Sequence, residues 1–318
     1  MGRNMRYYDE ETGLYYEIRE ESSFALVTDA DKKLTGVTVP KMLGGCPVKA
    51  IGRKAFLGCK GLREVTLPEY VDEVGEWAFA FCDNLKSVVL PAKSLRLGKG
   101  IFKNDRKLGD ISLYDIDPEG MADRTGHKPE ENSRDREAVA KLLAAVPIYM
   151  DAEYLLDTEH AGSCEWYGKW DTRLMHILSL KDDEGYHLYV LCGEEDLHFD
   201  YDQYLEYNRE KKAYLCMLRL RNDVCLSGEN RRILVDYLLD HTVGSRSDAA
   251  IRVLLRDFGD DRDYYGLMME EGVISASNLE DILLKMGDRH AGMKAFLIES
   301  VRGGSGCGAG SFFDELTL

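Results

Sequence analysis

Cysteines, histidines and clustered carboxylates are the residues of this chain whose types and spacing could do chemistry. Cys164 follows His160 by four residues and precedes His176 by twelve, an order compatible with a thiolate nucleophile and an imidazole base. No family signature surrounds them, and eight cysteines with seven histidines produce such proximities by chance. Isolated Cys and His residues predict a dyad poorly, so they read as a buried thiol and exposed imidazoles, and no catalytic residue is expected. Asp182-Asp-Glu184 and Asp260-Asp-Arg-Asp263 lack the Gly and terminal Glu of a calcium loop. They read as solvated acidic turns. The glycines of Gly303 to Gly310 contain no GK[ST] and open no helix, which excludes a phosphate loop. Cys59 and Cys82 have no further ligands near them for a metal, and a small soft side chain suits a tight interior corner. No metal and no cofactor is expected. With no CxxC pair, the cysteines read as reduced thiols rather than a disulfide framework.

Cys59 and Cys82 lie one period apart in an internal repeat, and that repeat is what must position everything in the first third of the chain. Leu62, Leu85 and Leu108 stand 23 residues apart, and the surrounding pattern travels with them. Val65 and Leu67 recur as Val88 and Leu90, then as Ile111 and Leu113; Pro68 recurs as Pro91, Gly75 as Gly98, Phe79 as Phe102. One such unit cannot bury its apolar face without a neighbour, so the period implies a solenoid. Within Leu62 to Pro68, Val65 and Leu67 alternate with Glu64 and Thr66, a short strand with one face inward. The prolines lack a backbone donor and are expected to stop each strand. Gly75 and Gly98 are expected to form a tight turn on the return path, and Phe79 and Phe102 to plug the space between coils. An earlier copy runs from Leu34 through Val37, Val39, Pro40, Gly52 and Phe56, its Gly and Phe five residues late. The insertion falls at Gly44-Gly-Cys-Pro47, which reads as a loop.

The runs Ile51-Gly-Arg-Lys-Ala-Phe56-Leu-Gly-Cys59 and Val74-Gly-Glu-Trp-Ala-Phe79-Ala-Phe-Cys82 resemble the BspA-type leucine-rich repeat of bacterial proteins, over roughly residues 34–113. The third copy departs from that pattern, with Ile101 for Ala and Asp105 for Cys. A fourth keeps only its strand, with Tyr114, Met121 and Thr125 where Pro, Gly and Phe belong. The resemblance implies stacked parallel β-coils with irregular or short helical outer turns, in a family whose members are often cell-surface proteins that bind other proteins. Residues 13–28 resemble the family's cap: Leu14, Tyr16 and Ile18 alternate, Glu20-Glu-Ser-Ser23 can turn, and Phe24 to Val27 can return. A cap covers the unpaired edge and apolar end of the first coil.

Residues that alternate with the core along each strand face solvent. These are Thr38, Glu64, Thr66, Ser87, Val89, Asp110 and Ser112, and ladders of this kind form the binding surface of many solenoids. They are the candidate binding row, about four strands wide.

Charge divides the chain. Residues 1–120 hold 18 Lys and Arg against 19 Asp and Glu, and the remainder 23 against 38, so nearly all of the net −16 lies in the back half. Nucleic acid is a poor partner for such a half, because affinity there comes from cations on phosphates. The opening Met1 to Ile18 has no long apolar run, and no segment approaches the roughly 20 apolar residues that span a bilayer. No membrane insertion is expected, and the localisation expected is cytoplasmic, with the cell surface as the alternative if a leader precedes this sequence.

Residues 117–136 are polar and broken by Pro and Gly, a linker; afterwards the apolar period becomes about 3.6. Helices are expected over Arg134 to Val146, closed by Pro147, over Arg232 to His241 with a stripe of Ile233, Tyr237 and Leu238, and over Ala249 to Phe258 with Ile251, Leu254, Leu255 and Phe258. Ser277-Asn-Leu-Glu280 reads as a capping box for a helix through Ile282, Leu283 and Met286, with another over Ala291 to Val301. The segments Ile251 to Gly259 and Tyr264 to Gly272 resemble ankyrin-like helix pairs. Trp166, Tyr167 and Trp170 are expected to plug the junction between linker and helices, and residues 303–318 to form a flexible Gly-rich tail from which Phe312-Phe313 can dock.

The fold class expected is α+β: a capped leucine-rich-repeat β-solenoid of about four coils over 1–116, a linker over 117–136, and an all-α domain of paired antiparallel helices over 137–302. The function expected is a protein–protein interaction module without catalysis. The alternative is an enzyme or toxin-like effector acting through residues 148–230, with the repeats used for targeting.

Overall fold

A computed structural model of the protein describes residues 5–19, 22–116, 129–186 and 201–304. Met121, Thr125 and Phe312-Phe313, with most of the expected tail, lie outside the described residues. The chain forms two compact units, residues 1–177 with 222–226, and residues 178–221 with 227–318.

The first unit is the solenoid with the helices that follow it. Four strands, β4 (Gly36–Thr38), β7 (Glu64–Thr66), β9 (Ser87–Pro91) and β11 (Asp110–Tyr114), pair in parallel in that order. Their register follows the 23-residue period, with Val65 opposite Val88 and Val88 opposite Ile111. Alternation sends Val37, Val65, Val88 and Ile111 into the core, all at most 9 % exposed. β9 runs through Pro91, because the last residue of a strand needs no donor to continue the ladder.

A second parallel sheet, not anticipated from the sequence, occupies the return path. Its strands β6 (Cys46–Ile51), β8 (Glu73–Val74) and β10 (Arg96–Leu97) pair in that order. The cap feeds this sheet. β2 (Leu14–Arg19) and β3 (Phe24–Ala30) pair antiparallel as expected, an additional strand β1 (Arg6–Asp9) joins β2, and β3 then runs parallel to β6. The insertion is a hairpin rather than a loop: β5 (Met42–Leu43) pairs with β6 across Gly44-Gly45, both at positive φ, as a two-residue hairpin turn of this twist demands.

Gly75 and Gly98 do not sit at positive φ, which corrects the turn expected of them. They are places of close approach. A Cβ on Gly75 would lie 2.5 Å from the Arg53 backbone nitrogen, and one on Gly98 2.4 Å from that of Glu76. Phe56, Phe79 and Phe102 stack through the coils with centroids 5.0 and 5.6 Å apart, each at most 1 % exposed.

Beyond β11, α1 (Pro129–Ala145) opens inside the stretch read as linker and ends before Pro147, where a π-helical turn, Val146–Met150, takes over. α1 packs against β11. In α2 (Cys164–Ser179), Trp166, Tyr167 and Trp170 are buried; Trp170 Nε1 donates to Leu142 O of α1 at 3.2 Å and Trp166 Nε1 to Leu155 O at 2.9 Å. These aromatics seat α2 on α1 and the segment after it.

The second unit is helical. α3 (Tyr201–Arg221) packs against α4 (Gly228–Asp240), α5 (Ala249–Asp257) and α6 (Arg262–Glu270), while α7 (Leu279–Met286) packs against α8 (Ala291–Gly304). α4 buries Leu234 and Leu238 and leaves Ile233 40 % exposed, so the expected stripe is rotated by one residue. On α5, Ile251 and Leu254 are buried as expected, and Phe258 stacks on Tyr214 and Tyr264 at 5.5 and 3.8 Å. The capping box at α7 does not form. Asn278 is the N-cap without a capping bond; its side chain accepts from Ser275 N and donates to Val273 O, and Ser277 Oγ pairs with Ser275 Oγ. The preceding turn engages the Ser277 hydroxyl that the box would have used.

Candidate functional site

The parallel register of the four-stranded sheet turns the outward residues into two ladders. Gly36, Glu64, Ser87 and Asp110 are mutual neighbours across the strands, as are Thr38, Thr66, Val89 and Ser112. Neighbouring rungs in such a sheet lie about 4.8 Å apart. Thr38 and Glu64 are exposed and the other five half-buried. All seven predicted residues therefore come together on one face. Ser112 Oγ donates to the Asp110 carboxylate, so the acidic rung at β11 carries an internal hydrogen bond, while Glu64 lies unconstrained over Gly36, against which its side chain rests. The face is hydroxyl-rich and acidic at two of its rungs. Such a surface offers acceptors and short donors.

The Cys/His candidates are separated by bonding. Cys164 forms a disulfide with Cys225, Cα–Cα 5.7 Å, which corrects the reading of all cysteines as reduced thiols and takes away the nucleophile. Both residues are exposed, and 61 residues of sequence separate them; no local pattern signals the pair. His160 lies with Nδ1 3.0 Å from the Asp157 carboxylate, and His176 is exposed on α2.

Cys59 and Cys82 are buried free thiols. Burial pushes both thiols up, Cys82 to about 12, which keeps them protonated and unreactive. Cys82 Sγ donates to Phe56 O at 3.2 Å and Lys32 Nζ reaches Cys59 Sγ at 3.7 Å. Asp105 occupies the third rung of the same ladder, 1 % exposed, and burial pushes its carboxyl up to about 8.

The acidic turns are largely exposed, as expected of solvated turns, and some of their carboxylates are also ion-paired. Asp182 accepts from Arg209 at 2.8 Å and from Lys212 at 2.9 Å. Burial pushes its carboxyl up, but these two cations more than offset that and hold it below the usual range. Asp260 meets His290 Nδ1 at 2.9 Å, Asp261 caps α6, and Asp263 pairs with Arg221. Among the described residues no group of three or more His, Cys, Asp or Glu side chains could hold a metal ion. No described helix is long and apolar enough to cross a membrane.

The profile of the family described as BspA type Leucine rich repeat region matches residues 30–117, in six copies. No curated protein matches the chain. Among solved structures, the Treponema pallidum leucine-rich repeat protein is 28 % identical, with a TM-score of 0.31, covering 33 % of this chain and 49 % of its own. A leucine-rich cell surface protein of Faecalibacterium prausnitzii is 25 % identical, TM-score 0.30, covering 36 % and 31 %. A leucine-rich repeat protein of Bacteroides capillosus is 23 % identical, TM-score 0.27, covering 34 % and 98 %. This chain thus spans about half the length of the first of these and about a third of the second. Residues 30–117 match the BspA-type leucine-rich repeat region, and the described part of that stretch is built as a two-sheet β-solenoid.

Proposed function

We propose that the protein is an interaction module that binds another protein through the outward row of its four-stranded sheet and performs no reaction. The observation that carries this reading is the register that aligns Glu64, Ser87 and Asp110 on one rung line and Thr38, Thr66, Val89 and Ser112 on the other. Leucine-rich repeats with such a face are in general interaction or surface modules, and the nearby solved structures include a cell surface protein. The exposed Cys164–Cys225 bond supports an oxidising location, such as the cell surface, over the cytoplasm, because glutathione and thioredoxin keep cytosolic thiols reduced.

The test is a crosslinked pull-down from native lysate. It compares the intact chain with a Glu64→Arg, Ser87→Arg, Asp110→Arg variant whose thermal midpoint matches the parent. A partner captured by the parent and lost from the variant is the expected result. An unchanged set of partners would remove the row from the binding surface.

A further inference from the structure

Three successive turns of the solenoid carry two left-handed residues four positions apart, and the middle turn fills both places with aromatic side chains. The first place holds Lys54, Trp77 and Gly100, at φ of 63°, 59° and 62°. The second holds Gly58, Phe81 and Asn104, at 68°, 61° and 66°. Glycine enters this region without steric cost; a bulky side chain does not. Stacking of the coils imposes the conformation, since Trp77 N donates to Lys99 O at 3.1 Å and Phe81 N to Lys103 O at 2.8 Å, in the ladder that also ties Lys54 to Glu76 and Gly58 to Ala80.

Core packing does not account for the two rings. Phe56, Phe79 and Phe102 fill the interior, whereas Phe81 is 36 % exposed and Trp77 half-buried. Strained positions that hold side chains toward solvent are characteristic of recognition sites.

The charges around Trp77 point to what is recognised. Lys54 and Lys103 hold their ammonium groups 5.6 and 5.1 Å from its ring centroid, and the Phe81 ring is 6.3 Å away. The ring attracts the ammoniums without neutralising them. Turn segments 52–60 and 98–107 contribute three and four Lys or Arg, against Glu76, Asp83, the buried Asp105 and Glu153, whose Oε1 accepts from Gly100 N at 2.8 Å. Glu76 is engaged by Arg53 at 3.5 Å and Asp83 by Lys60 at 3.7 Å. The outcome is a local positive patch on a chain of net charge −16.

We propose that Trp77, Phe81, Lys54 and Lys103 form a second recognition surface, on the turns rather than the strands, which binds an acidic peptide segment of a protein partner. Its carboxylates meet the two ammoniums, and an apolar side chain covers the exposed rings. A polyphosphate backbone fits less well. It requires a continuous cationic track, and Glu76 and Asp83 interrupt this one. A short segment, by contrast, senses only charges within about 8 Å at physiological salt.

The full chain is titrated calorimetrically with a short synthetic peptide of Glu, Asp, Leu and Phe, and with its Gln/Asn counterpart. Saturable binding of the acidic peptide alone, weakened by salt, is expected. Trp77→Gly places in the middle turn the residue that Gly100 already supplies in the next. It should fold with a thermal midpoint at or above the parent's and lose at least about tenfold in affinity, the size of one aromatic contact. Lys54→Glu with Lys103→Glu should abolish binding. Equal binding of the neutral counterpart, full affinity in Trp77→Gly, or tighter binding of a single-stranded oligonucleotide would overturn the proposal. The strand-row variant should bind the peptide like the parent, so this test and that of the strand face fail separately.

Discussion

The backbone N–H of Cys82 donates to Oδ1 of Asp105 at 2.8 Å, one coil away, while Asp105 Oδ2 is buried without a hydrogen-bond partner. Asp105 stands where the two preceding repeats place Cys59 and Cys82, so a carboxyl fills a rung built for a small thiol. Burial, reinforced by the nearby Asp83 and opposed by the Cys82 N–H, raises it from its ordinary 3.8 to about 8.

The pH dependence of stability follows from that shift. Below about pH 4 both the folded and unfolded chains hold the proton. Between about 4 and 8 only the folded chain does, so its stability should fall as pH rises through this window and level off above it, by up to about 5 kcal/mol. Asp105→Asn keeps an acceptor for Cys82 N–H and cannot ionise. Its thermal midpoint should exceed the parent's at pH 8 and lose most of the slope. An unchanged profile would place the carboxyl in water.

Phe79 lies between Phe56 and Phe102 in the buried stack. Phe79→Ala should cost about 3–5 kcal/mol, the usual range for emptying an aromatic core site. Denaturant unfolding measures it, and a midpoint that does not move would contradict the stacking.

Gly75→Ala should destabilise by about 1–3 kcal/mol, as overpacking does, because its methyl would press on the Arg53 backbone. Gly109→Ala serves as the contrast. Its Cβ meets nothing nearer than Lys107 O at 4.0 Å, and stability should change by less than about 1 kcal/mol.

Reduction of Cys164–Cys225, or Cys164→Ser, should lower stability by about 2–4 kcal/mol, since the bond closes a loop across 61 residues. Thermal midpoints with and without reductant test this, and alkylation under non-reducing conditions should leave both thiols unlabelled.

What could be read in advance was what repeats locally. The 23-residue period specified strand positions and the phenylalanine stack, because each coil contacts only its neighbours, while parallel pairing was what the family resemblance implied. The outward row was legible for the same reason: alternation along a strand assigns the face before any partner strand is known. Helical spacing placed α5 through Ile251 and Leu254.

Tertiary structure decided the features that no local pattern encodes. β8 and β10 are two residues long, too short to alternate, and exist only because neighbouring coils offer them hydrogen bonds. Gly75 serves close approach rather than a turn, which depends on an Arg53 backbone 22 residues earlier. Cys164 and Cys225 meet through folding across 61 residues. Leu234 rather than Ile233 faces inward on α4, because three consecutive apolar residues, Ile233 to Val235, allow either stripe until α3 is packed against it. Sequence sets periodicity, and contacts between coils and between helices choose among the arrangements that periodicity permits.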